Sequence, residues 1–375
     1  MGTLTPTTAH MRAALEHAAQ AIGHTEPNPR VGCVLVGADG QVIGSGRTQQ
    51  VGGPHAEIMA LRDAAARGHA TQGATAYVTL EPCSHQGRTG PCCDALIAAD
   101  VRRVVASLAD PNPLVGGQGF ARLRAAGVEV EVGPGAAESR ALNIGFFSRM
   151  LRKTPWVRLK VAASLDGTTA LENGKSQWIT SGEARADGHA WRARAGAILT
   201  GIGTVREDNP RLDVRLAPRL GQPPLVVIDS RLETPLASHL FIEGREVWIY
   251  AAVADPTRAA ALEQRGANIR YLPGQMPGTD SKVDLQAVLL DLARREVNEL
   301  HVEAGHKLNG SLLRAGLVDE LLVYLAPKLI GAGRAMAALG PLSTLDQAMQ
   351  LQFVSSTMVG SDLRLLARVQ GRDPF

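Results

Sequence analysis

The sequence predicts an α/β protein with two domains, and three observations carry this prediction. The 375 residues exceed what one ordinary hydrophobic core holds. Short runs rich in Val, Ile and Leu alternate with segments of helix-forming composition along most of the chain. A helical connecting segment at 136–152, stopped by Pro155, separates two such series. We therefore expect one domain at residues 1–150 and a second at residues 151–375.

The first series begins with a hairpin. The run VGCVLVGADGQVIGSG from Val31 predicts two strands joined by a turn at Asp39 and Gly40. A helix follows in AEIMALRDAAARG and ends at Gly68, a typical residue just past a helix end. Strands are predicted at TAYVTL, VRRVVASL and VEVEV, with helices at CCDALIAAD and FARLRAAG between them. This alternation predicts a mixed sheet with helices on its faces, ending near residue 133.

The second series is longer. Its predicted strands are WVRLKVAASLDG, AILTGIGT, PLVVIDS, EVWIYAA, NIRYL, ELHVEAG and DELLVYLAPKLIG. Helices are predicted at 183–194, 256–265, 284–295 and 309–315. The richness in Val, Ile and Leu is typical of strands buried on both faces of a sheet.

Composition narrows the class of partner. The formal charge is only +3 and aromatic residues make up 4%, which argues against a nucleic-acid surface and leaves small anionic molecules as ligands. The sequence shows no export signal and no apolar run long enough to span a membrane, so we expect neither export nor a membrane partner. Four cysteines are too few for a disulfide framework, which favours a reducing compartment, the cytoplasm.

Three of those cysteines cluster in EPCSHQGRTGPCC, residues 81–93, downstream of the tripeptide HAE. His55, Cys83 and Cys92 suit Zn²⁺ as three protein ligands that leave a fourth tetrahedral position open for catalysis. The combination of H-x-E with a downstream P-C is the signature of zinc deaminases, in which the Glu transfers protons and does not bind the metal. That role falls to Glu57.

Two other interpretations of this cluster stay open at this level. The eight residues between Cys83 and Cys92 replace the usual two, so the loop must fold back, which its Gly and Pro residues allow. A structural zinc would need a fourth ligand, such as Cys93, and unrelated surface histidine and buried thiols would need no metal at all. We expect Cys93 and Cys33 to be packing residues.

The second half offers a weaker signal. GIGTV lacks the third glycine of a dinucleotide fingerprint, so a Rossmann domain has little support. EAGHKLNGS lies between the strand ELHV and a helix, where backbone amides can bind phosphate.

Longer motifs resemble a known family. NPRVGCV, TAYVTLEPCSHQGRTGPCCDALI and DPNPLVGGQG resemble the deaminase half of the bifunctional deaminase/reductase of riboflavin biosynthesis. KVAASLDG, SQWITS, GIGTVREDNPRL, HVEAG and LAPKLIG resemble its reductase half. The resemblance covers essentially the whole chain, and PCSHxGRTxPC accounts for the unusual cysteine spacing.

The resemblance implies a cytidine-deaminase-like fold and zinc-dependent hydrolytic deamination for the first domain. Its substrate would be 2,5-diamino-6-(5-phosphoribosylamino)pyrimidin-4-one and its product 5-amino-6-(5-phosphoribosylamino)uracil. Zn²⁺ would activate water, and Glu57 would move protons to the ring nitrogen and the departing amine. Asn28, His85 and Arg88 fall where the family places substrate contacts.

For the second domain the resemblance implies a dihydrofolate-reductase-like fold and NADPH-dependent reduction of the ribosyl chain to a ribityl chain. Lys160 and Asp166 lie in KVAASLDG, where the family has its strand and turn beside the reacting carbon, which makes them candidates for a catalytic role. The resemblance assigns NADPH contacts to Ala162, Trp178, Thr204, Asp208, Gly305, His306, Lys307, Leu308, Asn309, Gly310 and Ser311. It assigns substrate contacts to Ser176, Arg192, Leu212, Arg215 and Glu303, of which the arginines suit a phosphate.

Two rival functions belong to other classes. A deaminase of nucleic-acid bases shares the zinc motif but must also grip a backbone and stack bases. A non-enzymatic zinc-binding protein would use the metal only for stability. The sequence leaves open whether the chain forms a homo-oligomer.

Overall fold

A computed structural model describes residues 6–85, 90–275, 281–373 and 375. The chain divides into two compact units, residues 1–152 and residues 153–375. Each unit has its own main sheet. None of the helices in these ranges combines the length and the apolar character needed to cross a lipid bilayer.

The described part of the first unit contains five strands and six helices. The strands are β1 (Gly32–Val36), β2 (Val42–Arg47), β3 (Thr75–Val78), β4 (Arg103–Ala106) and β5 (Glu129–Val132). The helices are α1 (Pro6–Ala19), α2 (Ala56–Ala66), α3 (Cys92–Ala98), α4 (Gln118–Ala125), α5 (Ala136–Leu142) and α6 (Ile144–Arg152).

The sheet of the first unit has the order β2-β1-β3-β4-β5. Strand β1 is antiparallel to both of its neighbours, whereas β3, β4 and β5 are parallel. Parallel strands end at the same edge of a sheet, so the segments that follow β3 and β4 leave together from one edge. The first of these segments carries Cys83. The fold therefore places the predicted zinc motif at the carboxyl edge of the sheet.

The described part of the second unit contains eleven strands, five α-helices and one 3-10 helix, Leu345–Gln347. The strands are β6 (Trp156–Ser164), β7 (Thr168–Leu171), β8 (Ala197–Gly201), β9 (Leu225–Ile228), β10 (Val247–Ala251), β11 (Ala267–Tyr271), β12 (Glu299–Val302), β13 (Glu320–Ala326), β14 (Gly333–Ala335), β15 (Leu351–Val359) and β16 (Asp362–Val369). The helices are α7 (Gly182–Arg194), α8 (Ile202–Asp208), α9 (Pro256–Gln264), α10 (Leu285–Arg294) and α11 (His306–Arg314).

The large sheet of the second unit has the order β11-β10-β9-β8-β12-β6-β13-β16-β15. The seven strands from β11 to β13 are parallel, and β16 and β15 extend the sheet with antiparallel pairing. Every residue of β8 is buried, as its apolar composition predicted, and β12 is equally buried although it contains Glu299 and His301. In sheets of this kind ligands bind beyond the carboxyl ends of the strands. The ends of β8, β12 and β6 meet at such a place.

The α/β prediction is confirmed, and each element predicted from the sequence has a counterpart in the structure. The segment 136–152 forms two helices instead of one, and α11 begins three residues before its predicted start. Helices α1 and α8 and the strands β7, β14, β15 and β16 were not predicted. Strand β15 is exposed along most of its length, so it lacks the apolar alternation that indicates a half-buried strand.

Candidate active sites

The first site lies where two helices begin. His55 is the N-cap residue of α2, Cys92 is the first residue of α3, and Cys83 lies on the segment after β3. The Nδ1 atom of His55 is 3.5 Å from Sγ of Cys83 and 3.4 Å from Sγ of Cys92. All three ligand atoms lie within 4.8 Å of one another. The long loop between the cysteines thus brings both thiols to one imidazole.

This spacing fits a zinc ion. Zn–N bonds of about 2.1 Å and Zn–S bonds of about 2.3 Å in tetrahedral geometry hold nitrogen and sulfur roughly 3.6 Å apart. Within the described ranges the group of metal-binding side chains has three members, which leaves one tetrahedral position for a ligand from outside the protein. Cys93 does not join them, because its buried thiol donates to the carbonyl of Pro82 at 3.1 Å. Cys33 is fully buried in β1.

The two thiols share their protons unequally. A hydrogen bond from Cys92, helped by one from His55, lowers the pKa of Cys83 to about 4. The same bond raises the pKa of Cys92. The backbone amide of Cys92, at the start of α3, also donates to Sγ of Cys83 at 3.4 Å. These contacts favour ionisation of the Cys83 sulfur, and the thiolate is the form that binds metals.

Glu57 lies in the first turn of α2 and is only 3% exposed. Burial raises the pKa of its carboxyl group to about 7, and the negative charge of Cys83 adds to the effect. A carboxyl group that titrates near neutrality can both accept and donate a proton under physiological conditions. The geometry places such a group beside the three ligand atoms.

Glu81 is a residue that the sequence analysis missed. Its buried carboxylate accepts four backbone N–H bonds from the segment after β4, at 2.8 Å from Gly119, 2.9 Å from Gly117, 3.0 Å from Asp110 and 3.3 Å from Phe120. A Cβ atom at Gly119 would lie 2.1 Å from the carbonyl oxygen of Pro82, so only glycine allows this approach. The available signal was an acid directly before Pro-Cys at a buried strand end.

The predicted substrate contacts of the first unit lie on two segments. Asn28 is half-buried in the turn before β1, where its backbone N–H donates to the carbonyl of Thr25 at 2.8 Å. His85 is exposed, two residues beyond Cys83. Arg88 lies outside the described residues.

The second site is a cavity of about 620 Å³ at the carboxyl ends of β6, β8 and β12. Residues from distant parts of the second unit line it. Those among the predicted contacts are Ala162, Ser176, Trp178, Arg192, Thr204, Asp208, Leu212, Arg215, Glu303, Gly305, His306 and Asn309.

The remaining predicted cofactor residues of segment 305–311 do not line this cavity. The segment is the N-cap and first turns of α11, so its side chains point in several directions. Leu308 packs against the core, and a Cβ atom at Gly310 would lie 2.2 Å from the carbonyl oxygen of Ala338. Ser311 donates to the carbonyl of Lys307, which is exposed.

Glu303 is the electrostatic centre of the cavity. Its carboxylate receives two donors of Arg192, with Nη2 at 3.0 Å, and lies 3.6 Å from Nζ of Lys160. The Nε2 atom of the buried His301 is 3.3 Å away. Burial opposes ionisation, but the charges of Arg192 and Lys160 outweigh it and hold the pKa of Glu303 well below its usual range. Glu303 is therefore a fixed anion.

The two arginines predicted as substrate contacts differ in what they offer a ligand. Arg192 uses Nε and Nη2 on Glu303 and Nη1 on the carbonyl of Asp213, at 3.1 Å. Arg215 is exposed and pairs through Nη1 with the Asp213 carboxylate. Arg215 thus retains more donors for an anionic group.

Asp166 is engaged in hydrogen bonds at a turn. Its carboxylate accepts from the hydroxyl of Ser164 and from the amides of Ile330 and Gly331, the latter at 2.7 Å. These bonds fasten the turn after β6 to the segment after β13. Lys160, by contrast, lines the cavity.

Comparisons with known proteins complete the description of both sites. The family of the RibD C-terminal domain matches residues 155–365, and the cytidine and deoxycytidylate deaminase zinc-binding region matches residues 5–108. Riboflavin biosynthesis protein RibD of Escherichia coli is 45% identical over 369 residues, covering 95% of this chain and 97% of the relative. The chain belongs to the RibD family.

Solved RibD structures agree with this membership. RibD of Acinetobacter baumannii is 38% identical with a TM-score of 0.87, and the match covers 97% of this chain and 99% of that one. A deaminase/reductase from Thermotoga maritima is 31% identical with a TM-score of 0.85, at the same coverage of both chains. The predicted cytidine-deaminase-like and dihydrofolate-reductase-like folds are confirmed.

As a RibD protein, the chain is a bifunctional deaminase and reductase of riboflavin biosynthesis. It combines a zinc-binding deaminase half with an NADPH-dependent reductase half. The two rival functions leave the match over residues 155–365 without an explanation.

Proposed function

We propose that the chain deaminates 2,5-diamino-6-(5-phosphoribosylamino)pyrimidin-4-one and then reduces the ribosyl chain of the resulting 5-amino-6-(5-phosphoribosylamino)uracil. The Thermotoga maritima relative is described as an enzyme with these two activities. We assign the deaminase to the predicted domain 1–150 and the reductase to 151–375. The division of the chain at residue 152 supports this assignment.

In the deaminase half, His55, Cys83 and Cys92 would hold the zinc ion, as their mutual distances support. Zinc supplies Lewis acidity that makes water a nucleophile at neutral pH. Glu57 would accept the first proton of the attacking water and pass it to the ring nitrogen, which keeps it. It would then carry the second proton, from the hydroxyl group formed by the attack, to the departing amine. Ammonia leaves, and the former water oxygen becomes the carbonyl of the product. A pKa near 7 suits both transfers.

Substrate recognition in this half would use Asn28, His85 and Arg88. Asn28 offers an amide that both donates and accepts, which suits the edge of a pyrimidine ring. Glu81 would position the Cys83 segment, because it joins that segment to residues 110–120 through four hydrogen bonds.

In the reductase half, NADPH supplies the hydride when it is bound. The N-terminus of α11 lines the cavity through Gly305 and His306, and free amides at a helix start favour phosphate groups. We assign the cofactor to this side of the cavity. The contacts proposed for it are Ala162, Trp178, Thr204, Asp208 and the segment Gly305, His306, Lys307, Leu308, Asn309, Gly310 and Ser311. The four residues of this segment that do not line the cavity would act through the backbone or through packing.

The phosphoribosyl substrate would occupy the side of the cavity lined by Ser176, Arg192, Leu212, Arg215 and Glu303. Arg215 would bind the phosphate, since its guanidinium is exposed and retains free donors. Arg192 would chiefly orient Glu303, whose fixed negative charge suits hydroxyl groups of the ribosyl chain.

We further propose that the enzyme works in the cytoplasm on small molecules, without a nucleic-acid or membrane partner. Its four cysteines are all free, which suits a reducing compartment. Two of them are zinc ligands in this proposal. The proposal leaves open whether the enzyme is a homo-oligomer.

The observation that carries the proposal is the meeting of His55, Cys83 and Cys92 beside the buried Glu57. The test is incubation of the zinc-loaded protein with the diaminopyrimidine ribotide, with and without NADPH, followed by mass spectrometry. We expect the mass change of deamination without NADPH and a gain of two further hydrogens only with it. An unchanged ribotide would refute the deaminase assignment, and a deaminated product that NADPH leaves unchanged would refute the reductase assignment.

A further inference from the structure

The segment between α8 and β9, residues 209–224, carries two of the proposed substrate contacts without regular secondary structure. Leu212 and Arg215 both line the cavity. Leu212 has a φ of +47° and is buried, although residues other than glycine disfavour this left-handed region. Specific contacts must therefore hold its backbone in place.

Side chains supply those contacts in place of a helix or a strand. Gln222 accepts from the amide of Val214 at 2.7 Å and donates to its carbonyl at 2.8 Å. Nδ1 of His189 accepts from the amide of Arg215 at 3.4 Å. These bonds hold Val214 and Arg215, which follow Leu212. The carbonyl of Leu212 itself has another partner.

That partner is Arg245, which lies just before β10 and is 8% exposed. Its Nη1 donates to the carbonyls of Arg211 and Leu212 at 2.7 and 3.0 Å, and its Nη2 donates to the carbonyl of Leu240. All three bonds go to the main chain. One guanidinium thus ties both peptide carbonyls around the left-handed residue to the adjacent segment.

The bonds are strong because the charge stays on the arginine. Burial lowers the pKa of Arg245 to about 10, which still leaves it protonated at neutral pH. Hydrogen bonds from a charged donor are roughly twice as strong as neutral ones, and a buried charge depends on them more. Arg245 does not belong to the cavity lining described above. Any effect on the substrate must pass through the segment it holds.

We propose that Arg245 is a positioning residue of the reductase, which fixes Leu212 and Arg215 where they meet the phosphoribosyl substrate. This inference rests on the proposed function of the cavity. Without the guanidinium, the carbonyls of Arg211 and Leu212 lose their partner and the backbone at Leu212 relaxes towards more favourable angles. Arg215 then presents its donors from a range of positions.

The test compares Arg245→Met and Arg245→Lys in the full-length, zinc-loaded enzyme. Reduction of 5-amino-6-(5-phosphoribosylamino)uracil is measured while the ribotide and NADPH are varied separately. For Arg245→Met we expect KM for the ribotide to rise about 10-fold to 100-fold, the effect of losing hydrogen bonds from a charged group. We expect kcat and KM for NADPH to change by less than about 2-fold. Arg245→Lys retains a charged donor and should recover part of the affinity.

Arg265→Met is the matched control. Arg265 also donates to a carbonyl, that of Leu236 at 3.0 Å, but it is exposed and lies outside the cavity lining. It should behave as the parent does. A merely structural role of Arg245 predicts fewer folded molecules, and therefore a lower kcat with both KM values unchanged. That result, or an equal rise in both KM values, would overturn the inference.

Arg215→Lys separates this inference from the proposed function. If Arg215→Lys raises KM for the ribotide while both Arg245 variants match the parent, the positioning role is wrong and the cavity assignment stands. If the parent does not reduce the ribotide, or if Arg215→Lys leaves KM unchanged, the assignment of the cavity fails. Should Arg245→Met not fold, Arg245→Lys alone decides, because it keeps the charge in place.

Discussion

The two sites of this enzyme are built on opposite plans. The zinc group gathers three side chains within 4.8 Å, and they come from residues 55–92. The reductase cavity of about 620 Å³ draws its lining from residues 160–334. A metal with fixed bond lengths demands short, regular spacing, whereas a large organic cofactor is held by many separate contacts. We therefore expect a single substitution to cause a large loss of function in the first site and a small loss in the second.

The largest loss of activity is expected for Glu57→Gln. The amide has nearly the same size as the carboxylate but cannot accept the proton of water, so deamination should fall about 100-fold to 10,000-fold. Single-turnover deamination, metal analysis and thermal melting measure the effect. Zinc content and reduction of pre-deaminated ribotide should stay at parental values. A variant that loses its zinc would make Glu57 a ligand, and nearly parental deamination would remove it from the proton path.

A second large loss of activity is expected for Cys83→Ser. Serine replaces a thiolate with a much weaker ligand, so zinc affinity and deamination should each fall by about 10-fold to 100-fold or more. Cys93→Ser is the matched control, because Cys93 is a neighbouring buried thiol that bonds to Pro82. Zinc content by metal analysis should separate the two variants. If a folded Cys83→Ser protein also loses reduction, the two halves are not chemically independent.

Glu81→Gln tests the support of the first site. The amide group turns an NH₂ towards two backbone donors, so about two of the four hydrogen bonds are lost. We expect a destabilisation of about 1–3 kcal/mol, which thermal melting of the deaminase half detects. Glu131→Gln, which breaks a partly exposed pair with Arg103, should cost about 0–1 kcal/mol. Equal costs for the two variants would contradict the role given to Glu81.

The smallest effect at neutral pH is expected for His189→Gln in the reductase half. Burial and the neighbouring charges of Arg192 and Arg215 lower the pKa of His189 to about 4, against 6.5 for an ordinary histidine. Between pH 4 and pH 6.5 the unfolded chain therefore binds a proton at His189 that the folded unit does not bind. The free energy of unfolding consequently falls as the pH drops from 6.5 to 4. The slope is at most about 1.4 kcal/mol per pH unit.

Denaturant unfolding of parent and variant across this pH range gives that slope directly. The variant should lose less stability than the parent as the pH falls, and the two should run in parallel above pH 7. Parallel curves over the whole range would mean that His189 keeps an ordinary pKa.

The contrast between the sites also explains what the sequence could reveal. The motif around Cys83 predicted the zinc group because its ligands carry distinctive chemistry and two of them open helices. Glu81 escaped attention because its partners are backbone amides of residues 110–120, and backbone groups leave no mark in a sequence. The resemblance to a family supplied Leu212, for no apolar residue reveals by itself that it lines a cavity.

The same reasoning applies to the fold. The buried strands of the second unit were predicted from their apolar composition, since strands covered on both faces are rich in Val, Ile and Leu. The start of helix α8 was predicted as the end of the strand AILTGIGT, because the helix follows β8 without a break. Strand β15 was not predicted because its exposure removes the apolar alternation. Arg245 could not be found from sequence, since its three partners are carbonyls on two other segments.

Strand β12 has a further consequence for the reductase. Glu303 and Gly305 follow its last residue, so the proposed substrate contact and the proposed cofactor contact are two residues apart. Two residues of chain span at most about 7 Å, however the rest of the unit moves. Covalent bonds therefore limit the distance between the residue that contacts the substrate and the residue that contacts the cofactor. Insertion of one residue at position 304 would change the spacing between the bound substrate and the bound cofactor. The residues that contact each of them would stay the same.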